Sequence, residues 1–336
     1  MDIIKNISII FISIFFESLP FLFLGSLLSA VIETYVSNET ISKIIPKNKI
    51  LGSIVGIFLG FFIPACDCAV IPISKRLLKK KVPINVSISF MLSSPIINPV
   101  VLLSTYYAFY NTNPEIFWYR LLFGIMISLI VGIIMGIIFG KKEVIINDIE
   151  KCSCHRHEKN ECNHEIDKDF KDLENDFDNH LHSKHSLKND IISIFKHCAY
   201  DMFEVVKFLM IGALIASLVQ VLLPRNILIV FNNNRVLSII ILMLFAYLIS
   251  LCSTSDSFIG KSLLSTFTKG SIVAYLLLGP MIDIKNTIVL FGNYKKSFVL
   301  TLILSIFISV FIFSLVVIKF IWKEDFWHWY VCYIFR

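Results

Sequence analysis

Apolar residues gather in eight long stretches, roughly 7–32, 50–73, 83–110, 116–139, 197–223, 236–259, 271–290 and 298–321, with polar joints between them. About 20 mainly apolar residues are what a helix needs to cross the hydrocarbon core. The pattern therefore predicts an all-α polytopic membrane protein of about eight transmembrane helices, four in each half. The first stretch follows Lys5 and has small residues near Ala30, as a secretory signal would. Its 26 residues, with Glu17 and Pro20 in the middle, are too long and too polar for one.

The polar positions inside these stretches recur. Glu17, Gly25, Cys66, Pro95 and Asn98 in the first half match Glu204, Gly212, Cys252, Pro280 and Asp283 in the second, at offsets of 187, 187, 186, 185 and 185. Such regularity predicts two duplicated four-helix halves with interrupted helices, as in transporter cores. The chain divides into a first membrane half (1–140), a polar insert (141–190) and a second membrane half (191–336). Four spans per half would make the copies parallel; a re-entrant segment counted as a span would invert one of them.

Composition agrees with a bilayer-embedded chain: 56% of residues are hydrophobic, only 17% are charged and 30 are Phe, with a mean hydropathy of +0.75. A soluble domain of this length could not hide so much apolar surface. Lysine and arginine favour the cytoplasmic side. The dense cluster Lys75, Arg76, Lys79, Lys80 and Lys81 assigns that turn to the cytoplasm, with Lys5, Lys141, Lys142, Lys261, Lys269, Lys319 and Lys323 on the same side. Lys43, Lys47, Lys49, Arg225, Arg235, Lys285, Lys295 and Lys296 fall opposite. The N-terminus, the insert and the C-terminus are thus expected in the cytoplasm.

The insert has a net charge of −4, leaving +10 on the rest of the chain, and holds six of the eight His and three of the eight Cys. Charge of that density argues for a disordered linker. Cys152, Cys154, His155, His157, Cys162 and His164 nevertheless offer thiolate and imidazole ligands within thirteen positions, a set suited to zinc or copper(I). The alternative is a surface linker with no defined site. The spacing matches no regular zinc finger, and no cofactor is required by any motif.

The chemistry concentrates at Cys66-Asp67-Cys68, between Pro64 and Pro72. Side chains two apart diverge on a helix and share a side in an extended stretch. Two prolines that disrupt the helical ladder make local unwinding there the expectation. Two thiols and a carboxylate facing a polar cavity would form a soft-ligand site; the alternative is two cysteines packed as small hydrophobes. The second copy reads Cys252-Ser253-Thr254-Ser255-Asp256, with one thiol kept, so three thiols could meet near the centre. Pro95 with Asn98, and Pro280 with Asp283, predict interrupted helices, or simple kinks. Glu17 and Glu204 are either proton-coupling groups or structural partners; Glu204 has Lys207 one turn on.

Pro64 to Ser74, the run Phe90-Met-Leu-Ser-Ser-Pro-Ile-Ile-Asn-Pro-Val and the Cys-Ser-Thr-Ser-Asp element resemble the predicted-permease family that includes the organoarsenical efflux permeases of the ArsP type. The resemblance implies an eight-span inner-membrane permease with a central cytoplasmic loop, and some relatives are considered copper or zinc exporters. It carries Cys66, Asp67, Cys68, Pro95, Asn98, Cys252, Ser253 and Asp256 into the substrate path. Pro280 and Asp283 join them through the repeat. The function expected is efflux of a thiophilic substrate, a trivalent organoarsenical or a soft metal ion, by alternating access rather than by an enzyme. No Gly-x-x-x-x-Gly-Lys-Ser/Thr loop is present, so energy would come from an ion gradient or an accessory protein. Competing readings are a membrane thiol oxidoreductase and a metal-sensing membrane protein. The expected partners are the lipid bilayer, the small thiophilic substrate and either a second copy or an accessory protein, with no nucleic acid.

Overall fold

The computed structural model describes residues 2–35, 46, 48–63, 65–140, 142, 144–145, 187–222 and 234–334. These form twelve helices: α1 (Asp2–Tyr35), α2 (Lys49–Phe62), α3 (Asp67–Lys79), α4 (Ile84–Ile97), α5 (Pro99–Phe109), α6 (Glu115–Ile138), α7 (Leu187–Leu222), α8 (Arg235–Ile249), α9 (Ser255–Leu263), α10 (Lys269–Met281), α11 (Ile284–Asn293) and α12 (Lys296–Ile334). The only pairing of β type among the described residues is an isolated bridge between Ile145 and Tyr294.

Among the described residues, six segments are long and apolar enough to cross a membrane: Ile4–Val31, Ile84–Phe109, Glu115–Ile138, Val205–Leu222, Lys269–Asn293 and Lys296–Lys319. Helices α2 and α8, of 14 and 15 residues, reach only about 21–23 Å at 1.5 Å per residue, short of the ~30 Å hydrocarbon core. Their contacts explain how they end. Helix α2 starts beside the start of α4, where Asn85 Nδ2 donates to the Lys49 carbonyl at 2.8 Å. Its far end meets the middle of the α4–α5 crossing, where the Ser94 hydroxyl lies 3.1 Å from the Ile63 carbonyl. Helix α3 then returns, with the Ser74 and Ser87 hydroxyls 2.9 Å apart. The stretch 50–73, expected to be a single span, therefore contains α2, the turn and over half of α3 of a helical hairpin.

Helices α8 and α9 do the same from the other end of the bundle. Ser238 meets Ser271 at 2.9 Å, near the start of α10, whereas Asp256 lies at the depth of Tyr275, and a Cβ on Gly260 would meet Leu276 and Ile272. The chain thus enters, reverses at 250–254 and returns. Among the described residues, six segments long enough to cross and two helical hairpins stand where eight spans were expected.

Polar contacts identify which residues share an end. Lys75 donates to Asn293 at 3.0 Å, the Tyr294 hydroxyl lies 3.3 Å from that of Ser74, and the Lys295 amide donates to the Val144 carbonyl at 2.9 Å. The root of the insert therefore shares its end with Lys75, Lys295 and Lys296. Lys269 pairs with Glu115 at 3.3 Å, at the far end of α6. The expected division of lysines is corrected at many places: Lys49, Lys295 and Lys296 join the Lys142 side, Lys5, Lys261, Lys269 and Lys319 leave it, and Lys285 is buried in the core. Helices α1 and α7 run antiparallel, with Ser26 beside Cys198 at 3.2 Å and Ile14 against Ala213 and Ala216. Because α7 leaves the insert, the first residues of α1 lie at the opposite end, as does the end of α12. A common face for the N-terminus, insert and C-terminus does not fit this path.

The breaks also fall away from Pro95, Pro280 and Pro72. Pro95 and Pro280 lie inside α4 and α10, and Pro72 inside α3. The first crossing breaks at Asn98 (φ −53°, ψ 131°), because the ring of Pro99 pushes the preceding residue out of the α region. The Asn98 side chain then caps α5 by accepting from the Val100 amide at 3.0 Å. The second crossing breaks at Ile282 and Asp283, both extended, and Asp283 caps α11 through the Asn286 amide at 2.7 Å. Helix α8 ends on Ser250 in the left-handed region (φ 52°).

The α4–α5 and α10–α11 crossings form the buried centre. Helix α2 lies against α4 through Gly52, Gly56 and Gly60, four residues apart; a Cβ on Gly56 would strike the Val86 carbonyl. That spacing is the small-residue stripe by which membrane helices approach closely. Across the bundle α1 packs on α7, α4 on α10, α6 on α12, α3 on α11 and α5 on α9. Helix α1 also lies along α3, and α7 along α11. Phe58, Phe16, Leu24, Ile137 and Leu304 point outwards, into the space that acyl chains occupy.

Candidate functional site

The turn between α2 and α3 presents Cys66 as an extended cap (φ −76°, ψ 169°) and begins the helix at Asp67. Of the unwinding expected around Pro64 and Pro72, Cys66 keeps the extended backbone, while Pro72 lies inside α3 and Cys68 in its first turn; Pro64 lies outside the described residues. Cys66, Asp67 and Cys68 line one small pocket, of about 20 Å³, with Ser250 and Cys252 of the second hairpin, Lys285 of α11, and Ile14, Glu17, Ser18 and Phe21 of α1. The two hairpin turns, which enter from opposite ends, therefore bring three thiols to one cavity. The Cys68 thiol points at the Ser18 hydroxyl, 3.9 Å away, and Cys252 lies 3.4 Å from Thr254 Oγ1. All three are free thiols. Among the described residues no three His, Cys, Asp or Glu side chains stand close enough together to hold a metal ion, so the thiols share a wall without forming a closed ligand set.

Beneath the thiols lies a charged group that sequence reasoning missed. Lys285 Nζ stands 3.1 Å from Asp67 Oδ2 and 3.0 Å from Asp283 Oδ2, with all three side chains buried. It also reaches the Ser250 carbonyl at 3.4 Å, and Asn286 Nδ2 donates to Asp67 at 3.0 Å. A cation between two carboxylates satisfies each of them in a setting where an isolated charge would cost several kcal/mol. The triad ties α3 of one half to α11 of the other. A lysine flanked by Asp283 and Asn286 inside an apolar stretch is the signal that could have found it.

A second buried polar cluster joins α5, α6, α9 and α10. Arg120, fully buried, donates through Nη1 to Thr105 Oγ1 at 2.7 Å and Ser257 Oγ at 2.8 Å, and through Nη2 to the Ser253 carbonyl at 3.2 Å. Asp256 accepts from the Tyr275 hydroxyl at 3.0 Å. The one arginine within the 116–139 stretch marks this cluster in the sequence.

The expected residues thus divide. Cys66, Asp67, Cys68, Cys252 and Glu17 line the pocket, and Asp283 supports it through Lys285. Ser253 and Asp256 belong to the arginine cluster, Asn98 caps α5, and Pro95 and Pro280 lie within helices away from the pocket. The side chain of Glu204, and Cys152, Cys154, His155, His157, Cys162 and His164, fall outside the described residues.

The family model ArsP_1, described as a predicted permease, matches residues 3–319. The chain is 37% identical over 308 residues to the "putative two-component membrane permease complex subunit" of Streptococcus mutans, covering 92% of this chain and 93% of that one. It is 38% identical over 309 residues to the UPF0718 protein YcgR of Bacillus subtilis, covering 92% and 95%. No solved structure matches. With a family model spanning nearly all of its length and two relatives covered almost end to end, the chain belongs to the ArsP_1 predicted permease family, as a membrane protein with six long apolar helical segments.

Proposed function

We propose that the protein is an efflux permease of the inner membrane that carries a thiophilic substrate, a trivalent organoarsenical or a soft metal ion, by alternating access. The observation that carries this reading is the pocket where Cys66, Cys68 and Cys252 from two opposed hairpins line one wall. Soft thiolate ligands select such cargo over hard cations. An open set that lacks closed coordination suits a cargo that must leave again.

The path of the chain supports an inverted duplication. Each half contributes one long helix, one re-entrant hairpin, one broken crossing and one further long helix, and three crossings per half turn the second copy over. The contacts α3 with α11 and α9 with α5 are exchanged by that symmetry. The positions of α1 and α7 break it: α1 lies on α3 and α7 on α11, with no comparable packing of α7 on α9 or α1 on α5. We read this asymmetry as one of two states; in the other, α7 covers α9 and α1 covers α5. Lys75, Arg76, Lys79, Lys80, Lys81, Lys142, Lys295 and Lys296 at the insert end support a cytoplasmic insert with both termini outside. The insert's Cys and His residues would gather soft cations such as zinc or copper(I) before transport. The printed name of the Streptococcus mutans relative supports an accessory subunit.

The test is transport in proteoliposomes, with phenylarsine oxide and copper(I) as probes, set beside a thiol–disulfide exchange assay. Wild type should move at least one probe, and the Cys66→Ser/Cys68→Ser variant should lose that movement at unchanged abundance. Undiminished transport by the double variant would remove the thiols from the path. Disulfide exchange without transport would favour a thiol oxidoreductase.

A further inference from the structure

The arginine cluster contains a carboxylate arranged unlike the others in the core. Asp67 and Asp283 share Lys285 within 3.1 Å, whereas no cation stands within 4 Å of Asp256 among the described residues. Its Oδ1 accepts from the Tyr275 hydroxyl, and its Oδ2 has no hydrogen-bond partner although the side chain is only 3% exposed. The nearest cation is Arg120, whose Nη donors are already directed at Thr105, Ser257 and the Ser253 carbonyl. The charged or titratable groups facing Asp256 are Arg120 from α6, Tyr275 from α10, Asp67 from α3 and Lys285 from α11.

We infer that Asp256 is a proton-binding site that couples transport to a proton gradient. An ionised carboxylate with one bare oxygen at this depth is costly, and taking a proton from water removes both the charge and the unpartnered acceptor. Arg120, whose Nη donors are held by neutral partners, is the countercharge nearby when the proton leaves again. Asp256 lies in the first turn of α9, directly after the turn that carries Cys252, and its neighbour Ser257 bonds to Thr105 of α5 at 3.0 Å. In the state argued above, the α5–α9 contact is the face that α1 and α7 leave uncovered. Protonation there would change the charge on that face as the long helices move, linking one proton taken up on one side and released on the other to each passage of cargo. This assigns to Asp256 a role separate from holding the cargo, and it leaves Glu17 to line the pocket.

The inference rests on the permease reading, and two measurements keep their failures apart. In infrared difference spectra of the purified protein, without any cargo, wild type should show a protonated-carboxyl band that disappears as pH is raised and is missing from Asp256→Asn. If Asp256→Asn keeps that band unchanged, Asp256 is not the proton site, whatever is transported. In proteoliposomes, Asp256→Asn should keep phenylarsine oxide exchange at equal pH within about twofold of wild type and lose the stimulation by an imposed pH gradient; Asp256→Glu should regain part of it. Gradient stimulation intact in Asp256→Asn would overturn the coupling role. Exchange lost in both variants, with the band still assigned to Asp256, would overturn the separation between proton site and cargo path. If wild type moves neither phenylarsine oxide nor copper(I), the cargo reading fails while the spectroscopic result still decides the proton site.

Discussion

Single residues in this core are defined by what neutralises them. Lys285 holds two carboxylates from different segments, so replacing it leaves two like charges buried a few ångströms apart. Lys285→Met should therefore cost about 3–5 kcal/mol, read as a fall in the thermal unfolding temperature in detergent, and Asp67→Asn in the same background should restore part of it. A Lys285→Met protein as stable as wild type would mean that the triad is solvated rather than buried. The thiols at Cys66, Cys68 and Cys252 were legible from sequence because two cysteines flanking an aspartate in an apolar stretch have few bland explanations. Lys285 was not, since a lysine near the end of an apolar run looks like a flanking charge until the chain path shows that the crossing continues to Asn293.

At the scale of elements, sequence reading found the broken segments but misjudged two of them. Apolar residues continue from 50 to 73 with little interruption, and hydropathy cannot separate a helix that crosses from one that enters and returns at the same end. The distinction lies in packing: Gly52, Gly56 and Gly60 let α2 run alongside α4 to mid-depth, and Ser94 receives its end. Pro95 and Pro280 marked the right crossings but not the break points, which follow from Pro99 acting on Asn98 and from the caps of Asn98 and Asp283. If α2 depends on that close approach, Gly56→Leu should force it off the Val86 carbonyl and cost about 1–3 kcal/mol, whereas Phe58→Leu on the outward face should change the unfolding temperature little. Equal effects of the two substitutions would show that α2 does not rest on its glycine face.

For the whole molecule, the matched offsets are what suggests a duplication, and the sense of the proposed repeat depends on how many segments cross. With α2–α3 and α8–α9 as hairpins, the proposed repeat would cross three times in each half, and its two copies would face opposite ways. The asymmetry of α1 and α7 is then the main evidence for movement, and the repeat specifies the missing state residue by residue. In the present arrangement Ser18 of α1 stands beside Cys68 of α3; the matched positions are Val205 of α7 and Thr254 at the start of α9. The most direct measurement is therefore crosslinking in membranes with an otherwise cysteine-free chain. The pair made by Ser18→Cys with native Cys68 should crosslink in one population, and the pair made by Val205→Cys with Thr254→Cys should crosslink in another. A disulfide requires Cα atoms within about 7 Å, so formation of both, with each lock excluding the other, is the predicted result. Failure of the Val205→Cys/Thr254→Cys pair to crosslink under any condition, in a chain that folds and whose Ser18→Cys/Cys68 pair crosslinks normally, would contradict alternating access by exchange of α1 and α7.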